Sequence, residues 1–304
     1  MITNGFTYIA VLIFLAAMLV WLQKYTKSKF FDFVPPIVLL YLITMILCTC
    51  NVWDLAATKP AYASLKNNIL YAMIFLMLLR CDIRKILKLG PKMLGGFFAA
   101  SVSIGLGFII TYALMHTALG ALCGSWMGGS GNMIAVQAAF DIGEADMAYA
   151  LVVDSIDYSI WVMFLLWIIN FAPKFNKWVK ADTRVLDEVS KRLEEDAKAN
   201  DKSITFIDII FLLGLSLVIS AVGQNFGIAV NGFAPWLDKA TWTVLFVTVS
   251  GLVCAVTPIG KMAGTQELSN VMLYSVVALL ASRASFLDEK LPMMIRKNCS
   301  VMRR

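Results

Sequence analysis

The chain has 304 residues, of which 60% are hydrophobic and only 15% charged, and its mean hydropathy is +0.76. Soluble domains are about 45–50% apolar and about 25% charged. The composition therefore excludes a water-soluble globule, a disordered chain, a collagen and a disulfide scaffold, and implies an all-α polytopic bundle of transmembrane helices. The formal net charge of +6 reads as Lys and Arg in cytoplasmic loops. No basic patch is interleaved with aromatics, so no nucleic-acid partner is expected.

A spanning helix takes about 20 residues, so the length holds roughly nine or ten spans. In chain order, the first apolar segment covers 6–22. It lacks a basic region before it and a small-residue cleavage site after it, so it reads as a retained span. Lys24, Lys27 and Lys29 follow. Next come segments at 34–52 and 67–79, the latter extended by Leu65 and by the stem of Arg80. Arg80, Arg84, Lys85, Lys88 and Lys92 follow it. Both basic loops read as cytoplasmic, which places the N-terminus outside.

From Met93 to Phe140 there is no Asp, Glu, Lys or Arg. The segments 93–115 and 117–140 lie here, with room for two crossings joined by a turn near His116. Segment 147–172 precedes a charged stretch, 173–203, with eight basic and seven acidic residues. Leu186, Val189 and Leu193 recur there at helical spacing, as in an amphipathic surface helix. Segments 204–224, 241–258 and 266–284 complete the apolar series. The polar basic tail 287–304 follows, with Arg296, Lys297, Arg303 and Arg304.

The chain also echoes itself. Residues 65–80 match 268–283 at six of sixteen positions, namely Leu65/Leu268, Asn67/Asn270, Leu70/Leu273, Tyr71/Tyr274, Leu76/Leu279 and Arg80/Arg283. The reading is a first membrane repeat at 1–172, a cytoplasmic linker at 173–203 and a partial second repeat at 204–286. Transporter folds commonly invert such halves in the membrane. If every segment crosses once, the echoing segments run parallel and the linker falls outside. If 117–140 does not cross fully, the linker is inside and the halves are inverted. Charge bias favours the second count, and both stay open on sequence.

Two features carry chemistry. Gly124-Ser125-Trp126-Met127-Gly128-Gly129-Ser130-Gly131-Asn132-Met133 places four glycines within eight residues. Each glycine costs a helix about 1 kcal/mol relative to Ala, so the run favours a break. Irregular backbone at membrane depth survives only inside protein or beside a watery cavity, where it can bind an ion or polar solute. Gly120, Gly124 and Gly128 equally fit the small-residue pattern of tight helix packing. The second feature is Asp154 and Asp157, three apart and on one helix face. Carboxylates at such depth face a cavity, pair with a base, or carry protons or cations. The alternatives are hydrogen bonds to Ser155, Tyr158 or Ser159. Arg283 is a candidate partner. Asp208 reads as interfacial, and Asp141, Glu144 and Asp146 as a solvated acidic turn.

The six cysteines, Cys48, Cys50, Cys81, Cys123, Cys254 and Cys299, form no CxxC and read as small buried residues. The single histidine, His116, argues against a zinc site. No cofactor is expected beyond a transported or coupling Na+ or H+.

The run Leu78-Leu79-Arg80-Cys81-Asp82-Ile83-Arg84-Lys85-Ile86, the glycine cluster at 124–133 and the Asp154 helix resemble the "domain of unknown function 819" family over about residues 1–286. The resemblance implies membership of the cation:proton antiporter and bile-acid:sodium symporter superfamily. It implies an inverted-repeat secondary transporter with an unwound helix in each half. By the same resemblance Gly128, Gly129, Ser130 and Asn132 form the first unwound segment and Asp154 an ion-coupling residue. Family members continue beyond the segment equivalent to 266–284, so this chain reads as truncated, with its second repeat incomplete.

The functional expectation is a secondary transporter of a small solute or ion, coupled to H+ or Na+, and not an enzyme. Its site residues are Gly128, Gly129, Ser130, Asn132, Asp154 and Asp157. Its partners are membrane lipid, the solute, and a second copy in a homodimer, in a bacterial inner membrane. Two other classes fit parts of the sequence. Gly128-Gly129-Ser130-Gly131 resembles the serine motif of rhomboid intramembrane proteases, with His116 as the sole base. A non-transporting scaffold or sensor is the third.

Overall fold

The computed structural model describes residues 1–26, 31, 35–81, 83–84, 91–115, 119–128, 130–140, 142–143, 203–234 and 236–283, with single positions between 147 and 178. Nearly all of the 173–203 linker, the tail from 284 onward, His116, Gly129 and the acidic residues of the 141–146 turn lie outside the described residues. Among those described, nine α-helices carry the fold: α1 (Gly5–Thr26), α2 (Pro36–Thr49), α3 (Leu55–Leu79), α4 (Pro91–Met115), α5 (Leu119–Gly128), α6 (Ser130–Ala139), α7 (Phe206–Phe233), α8 (Lys239–Ala255) and α9 (Thr265–Ala281). A 3-10 turn, Pro258–Lys261, joins α8 to α9. The β structure among them is one isolated bridge, Ile2 to Trp53. By length and composition, α1, α3 and α7 can cross a membrane.

Local chemistry sets the helix starts. Asp54 caps α3, accepting from the Ala56 N–H at 2.8 Å and the Ala57 N–H at 3.0 Å. This cap starts α3 twelve residues before the apolar segment at 67–79. Hydropathy alone hides that first half, because Lys59, Pro60, Lys66, Asn67 and Asn68 dilute it. At α7, Thr205 and Asp208 form a reciprocal capping box. Asp208 is thus a partly buried first-turn residue engaged by the cap.

Contacts fix the relative helix directions. Arg283, just past α9, bonds to the Leu55 carbonyl and to Thr58 at the start of α3, so α3 and α9 run antiparallel. Gly251 of α8 packs on Phe75 and Leu78, while Lys239 and Thr243 face Lys66 and Leu70, so α8 runs parallel to α3. Gly223 and Gly227 of α7 meet Val247, Thr243 and Lys239 of α8 in reverse order, so that pair is antiparallel. The starts of α1, α3 and α8 and the ends of α7 and α9 therefore share one end of the bundle, here called the Met1 end.

At that end, backbone bonds from Ile2 N–H to Val52 and from Asp54 N–H to Ile2 tie the N-terminus to the start of α3. Tyr8 hydrogen-bonds Ser282, and the buried Trp53 indole donates to the Ser282 carbonyl at 2.9 Å. The Arg283 guanidinium lies 4.6 Å from the Tyr62 ring centroid, a cation–π arrangement beside a helix C-terminus.

The core is the α3–α9 contact, with Phe75, Leu76, Leu79, Val276, Leu279 and Leu280 fully or almost fully buried. In lipid, apolar side chains gain little by leaving their solvent for one another, so close approach at small residues carries the association. Gly223, Gly227 and Gly251 supply it here. The cysteines do not behave uniformly: Cys48 is buried, but Cys50 is exposed at the end of α2, so the expectation of burial fails there. The chain turns there: Asn51 takes a left-handed φ of 53°, leaving Cys50 on the outside of the turn.

Candidate functional site: the helical hairpin at 119–139

The glycine run ends α5 at Gly128, and α6 begins at Ser130. Each arm has ten residues and so measures about 15 Å, half the roughly 30 Å hydrocarbon thickness. The arms fold back on each other. A β-carbon added at Gly124 would lie 2.9 Å from Val136 Cγ2 and 3.1 Å from the Asn132 carbonyl oxygen. In one continuous helix, residues 124 and 136 would be about 18 Å apart. Of the two counts left open by the sequence, the described residues fit the one in which 117–140 does not cross fully: residues 93–140 hold one long helix, α4, and a hairpin. The physical reason is the glycine concentration at 128–131, which deprives a straight helix of propensity. Both readings of the glycine cluster hold together: the run interrupts the helix, and Gly124 lets the arms touch.

Asp154 lies beside the first arm. Its neighbours Val153 and Asp157, and Trp161 and Phe164 further on, are helical. Asp154 is half-buried, and Ser125 Oγ donates to its Oδ2 at 2.7 Å. The rings of Trp126 and Trp161 pack at 6.2 Å between centroids, two turns further along. The hairpin thus presents a hydroxyl and an indole to the helix that carries the carboxylate. Asp157 is exposed, one turn away, and has no hydrogen bond to the hairpin among the described residues. Asn132 has an exposed side chain, and its backbone carbonyl faces Gly124. Gly128 and Ser130 stand at the two arm ends. Gly129 lies between them, outside the described residues, as does His116, so the serine–histidine pairing falls outside them too. Arg283 is not the partner of Asp154. It is held at the start of α3 by Leu55 and Thr58, whereas Asp154 faces Ser125, because α9 packs on α3 and not on the hairpin's carboxylate side.

The carboxylate and hydroxyl are oxygen donors, a set that suits a hard cation or a proton. No group of three or more His, Cys, Asp or Glu able to hold a metal occurs among the described residues.

A second polar feature was not singled out by sequence. A cavity of about 260 Å³ lies between α3, α6, α7, α8 and α9. Lys66, Asn67, Gln137, Gln224, Lys239 and Thr243 give it polar walls. Behind it, Gln224 Nε2 donates to Asn68 Oδ1 at 3.2 Å, and Ser220 Oγ donates to the Asn68 carbonyl at 2.8 Å. The signal was present in the sequence as amides and lysines at the edges of apolar segments, where they read as segment ends.

A helical bundle with three span-length apolar helices and a broken-helix hairpin is a membrane protein. The chain belongs to the family described as "Protein of unknown function (DUF819)", which matches residues 10–296. No curated protein and no solved structure matches the chain.

Proposed function

We propose that this protein is a secondary active transporter, in which Asp154 couples H+ or Na+ to movement of a small solute. The observation that carries this is the Ser125–Asp154 contact: a half-buried carboxylate held against a hairpin too short to cross a membrane. Such hairpins expose backbone groups at depth only where a cavity or ion receives them.

The packing supports inverted repeats within a multi-pass chain. Exchange α1 with α7, α2 with α8, and α3 with α9, and each contact maps onto another. The α1–α2 contact becomes α7–α8, α1–α9 becomes α7–α3, α2–α9 becomes α8–α3, and α1–α3 becomes α7–α9. The α3–α9 contact maps onto itself, as it does when a two-fold axis passes between two copies. Those two helices carry the sequence echo and run antiparallel, as inverted copies must. Burial agrees at four of the six matched pairs, Leu65 and Leu268 both being intermediate. Leu76 and Leu279 are buried, Leu70 and Leu273 are buried, and Asn67 and Asn270 are exposed.

A hairpin that enters and leaves at the Met1 end fits the count in which segment 117–140 does not cross fully. On that count the charged linker belongs to the side of Lys24, Arg80, Arg84 and Lys261, which by charge bias is the cytoplasmic one. The test is an imposed Na+ or pH gradient in proteoliposomes carrying an internal reporter, challenged with a panel of small metabolites. The wild type dissipates the gradient in a solute-dependent way, and Asp154→Asn does not. Flux that is unchanged in Asp154→Asn would refute the assignment.

A further inference from the structure

We infer that the cavity between α3, α6, α7, α8 and α9 binds a small uncharged solute bearing hydroxyl or carboxamide groups, approached from the Met1 end. The inference rests on the transporter reading and names its substrate class. Two side chains of the cavity wall carry it. Tyr71 is 8% exposed and Gln137 4%, yet the Tyr71 hydroxyl and Gln137 Oε1 have no hydrogen-bond partner among the described residues. The amide of Gln137 is engaged through Nε2 alone, which donates to the Ile142 carbonyl at 3.3 Å. Buried polar groups are otherwise paired almost without exception, and an unpaired one costs stability. A phenol that can donate or accept, and an amide oxygen that accepts, are therefore open to a solute in this cavity. Asn67 adds an exposed carboxamide to the same lining.

Charge around the cavity is of both signs. Tyr71 stands sixteen residues inside α3, about 24 Å from the helix start. Helical side chains lean toward their own N-terminus, so its phenol reaches back toward the Met1 end. The Asp238 carboxylate acts on it there. Lys239, next to Asp238 in the chain, is exposed. Lys66 has partners of its own, the Tyr62 ring at 5.5 Å among them. Charge of neither sign therefore stands alone to draw in an ion. Leu70, Ile134, Val276 and Leu280 complete the wall. An ion that left water for these apolar and neutral polar groups would not recover its desolvation cost. An uncharged solute with hydroxyl or carboxamide groups pairs both open oxygens without that cost. The volume of about 260 Å³ falls just under the roughly 300–1,000 Å³ of drug-sized pockets, so the occupant is of small-metabolite size.

The position agrees with transport. Gln137 belongs to the hairpin arm α6, and Tyr71 to the long helix α3. Thr241 Oγ1 donates to the Ala139 carbonyl at 2.7 Å, joining the first turn of α8 to the same arm. Movement of the hairpin around Asp154 therefore shifts one open group relative to the other. The sequence echo supplies a control, because Tyr274, the match of Tyr71, is not among the described residues that line the cavity.

The experiment is a thiol-protection assay on the purified full chain in detergent. Ala240 lines the cavity at the first turn of α8, so Ala240→Cys places a reporter thiol there. N-ethylmaleimide labelling of that thiol is followed by mass spectrometry, with the exposed native Cys50 as the internal reference. The probes are xylitol, nicotinamide, succinate, tetramethylammonium and alanine at matched ionic strength. Xylitol or nicotinamide is expected to slow labelling at least fivefold and saturably, with Cys50 unaffected. The arm that protects distinguishes a hydroxyl from a carboxamide ligand. Tyr71→Phe is expected to weaken protection roughly tenfold, the loss of one hydrogen bond. Tyr274→Phe should leave protection unchanged. Because the Tyr71 hydroxyl holds no protein group, Tyr71→Phe should also leave the SDS unfolding midpoint of the ligand-free chain unchanged. Gln137→Met, which keeps the side-chain length, should weaken protection independently. Absence of protection by both uncharged probes would overturn the inference. Equal protection by succinate, tetramethylammonium or alanine would overturn it too, as would wild-type protection in both Tyr71→Phe and Gln137→Met. The assay requires no transport. Protection without gradient-driven flux therefore leaves the solute site and removes the transporter reading, whereas flux without protection does the reverse.

Discussion

Two glycines of one helix carry opposite expectations. A β-carbon at Gly227 would meet Thr243 Oγ1 and would lie 2.5 Å from the Lys239 carbonyl oxygen, whereas one at Gly214 meets nothing within 4 Å. Carbon–oxygen contact is comfortable near 3.5 Å, so Gly227→Ala must part α7 and α8 by about 1 Å. Overpacking of that kind costs about 1–3 kcal/mol, and Ala in place of Gly inside a helix returns about 0.5–1 kcal/mol. Gly227→Ala should therefore destabilise by about 1–2 kcal/mol, while Gly214→Ala should stabilise by about 0.5–1 kcal/mol. The assay is equilibrium unfolding of both variants by SDS in mixed micelles, followed by helical circular dichroism. Equal shifts of one sign, or a stabilising Gly227→Ala, would refute the α7–α8 packing and with it one wall of the cavity.

Other expectations follow from the same geometry. Trp53→Phe removes the donor to the Ser282 carbonyl and should cost about 1–3 kcal/mol in the same titration, because a buried acceptor is left unpaired. Gly124→Val drives a branched side chain into Val136 and the Asn132 carbonyl. It should reduce gradient-driven flux at least tenfold, with the protein still inserted in the membrane. For topology, variants retaining Cys50 alone should react with an impermeant maleimide from outside intact cells. Variants carrying only Cys81, or Cys at Lys261→Cys, should react only after permeabilisation. Labelling of Cys50 and Lys261→Cys from the same side would break the inverted arrangement.

Much of the fold was legible because lipid makes hydropathy a direct signal. The apolar runs at 6–22, 34–52, 204–224 and 241–258 fall on α1, α2, α7 and α8. The first half of α3 was not legible in this way. Its polar residues line a cavity and a wet helix end, and its start is signalled by the Asp54 cap rather than by hydropathy. The glycine cluster was legible as a break, but not as a fold-back, since composition gives propensity and not the direction of the following arm. Asp154 could be picked out as a costly carboxylate. Its partner could not, because Ser125 is twenty-nine residues away and meets it only through the hairpin. Arg283 misled on charge alone: its two terminal nitrogens bond a backbone carbonyl and a hydroxyl, and its face lies on an aromatic ring.

The measurement that bears most directly on Asp154 as the coupling site is charge movement on a solid-supported membrane after a Na+ or pH jump. Wild-type protein is expected to give a saturable transient current. Asp154→Asn should give none, while Glu267→Gln, at the exposed first turn of α9, should behave as the wild type. A transient of wild-type size from Asp154→Asn would contradict the account.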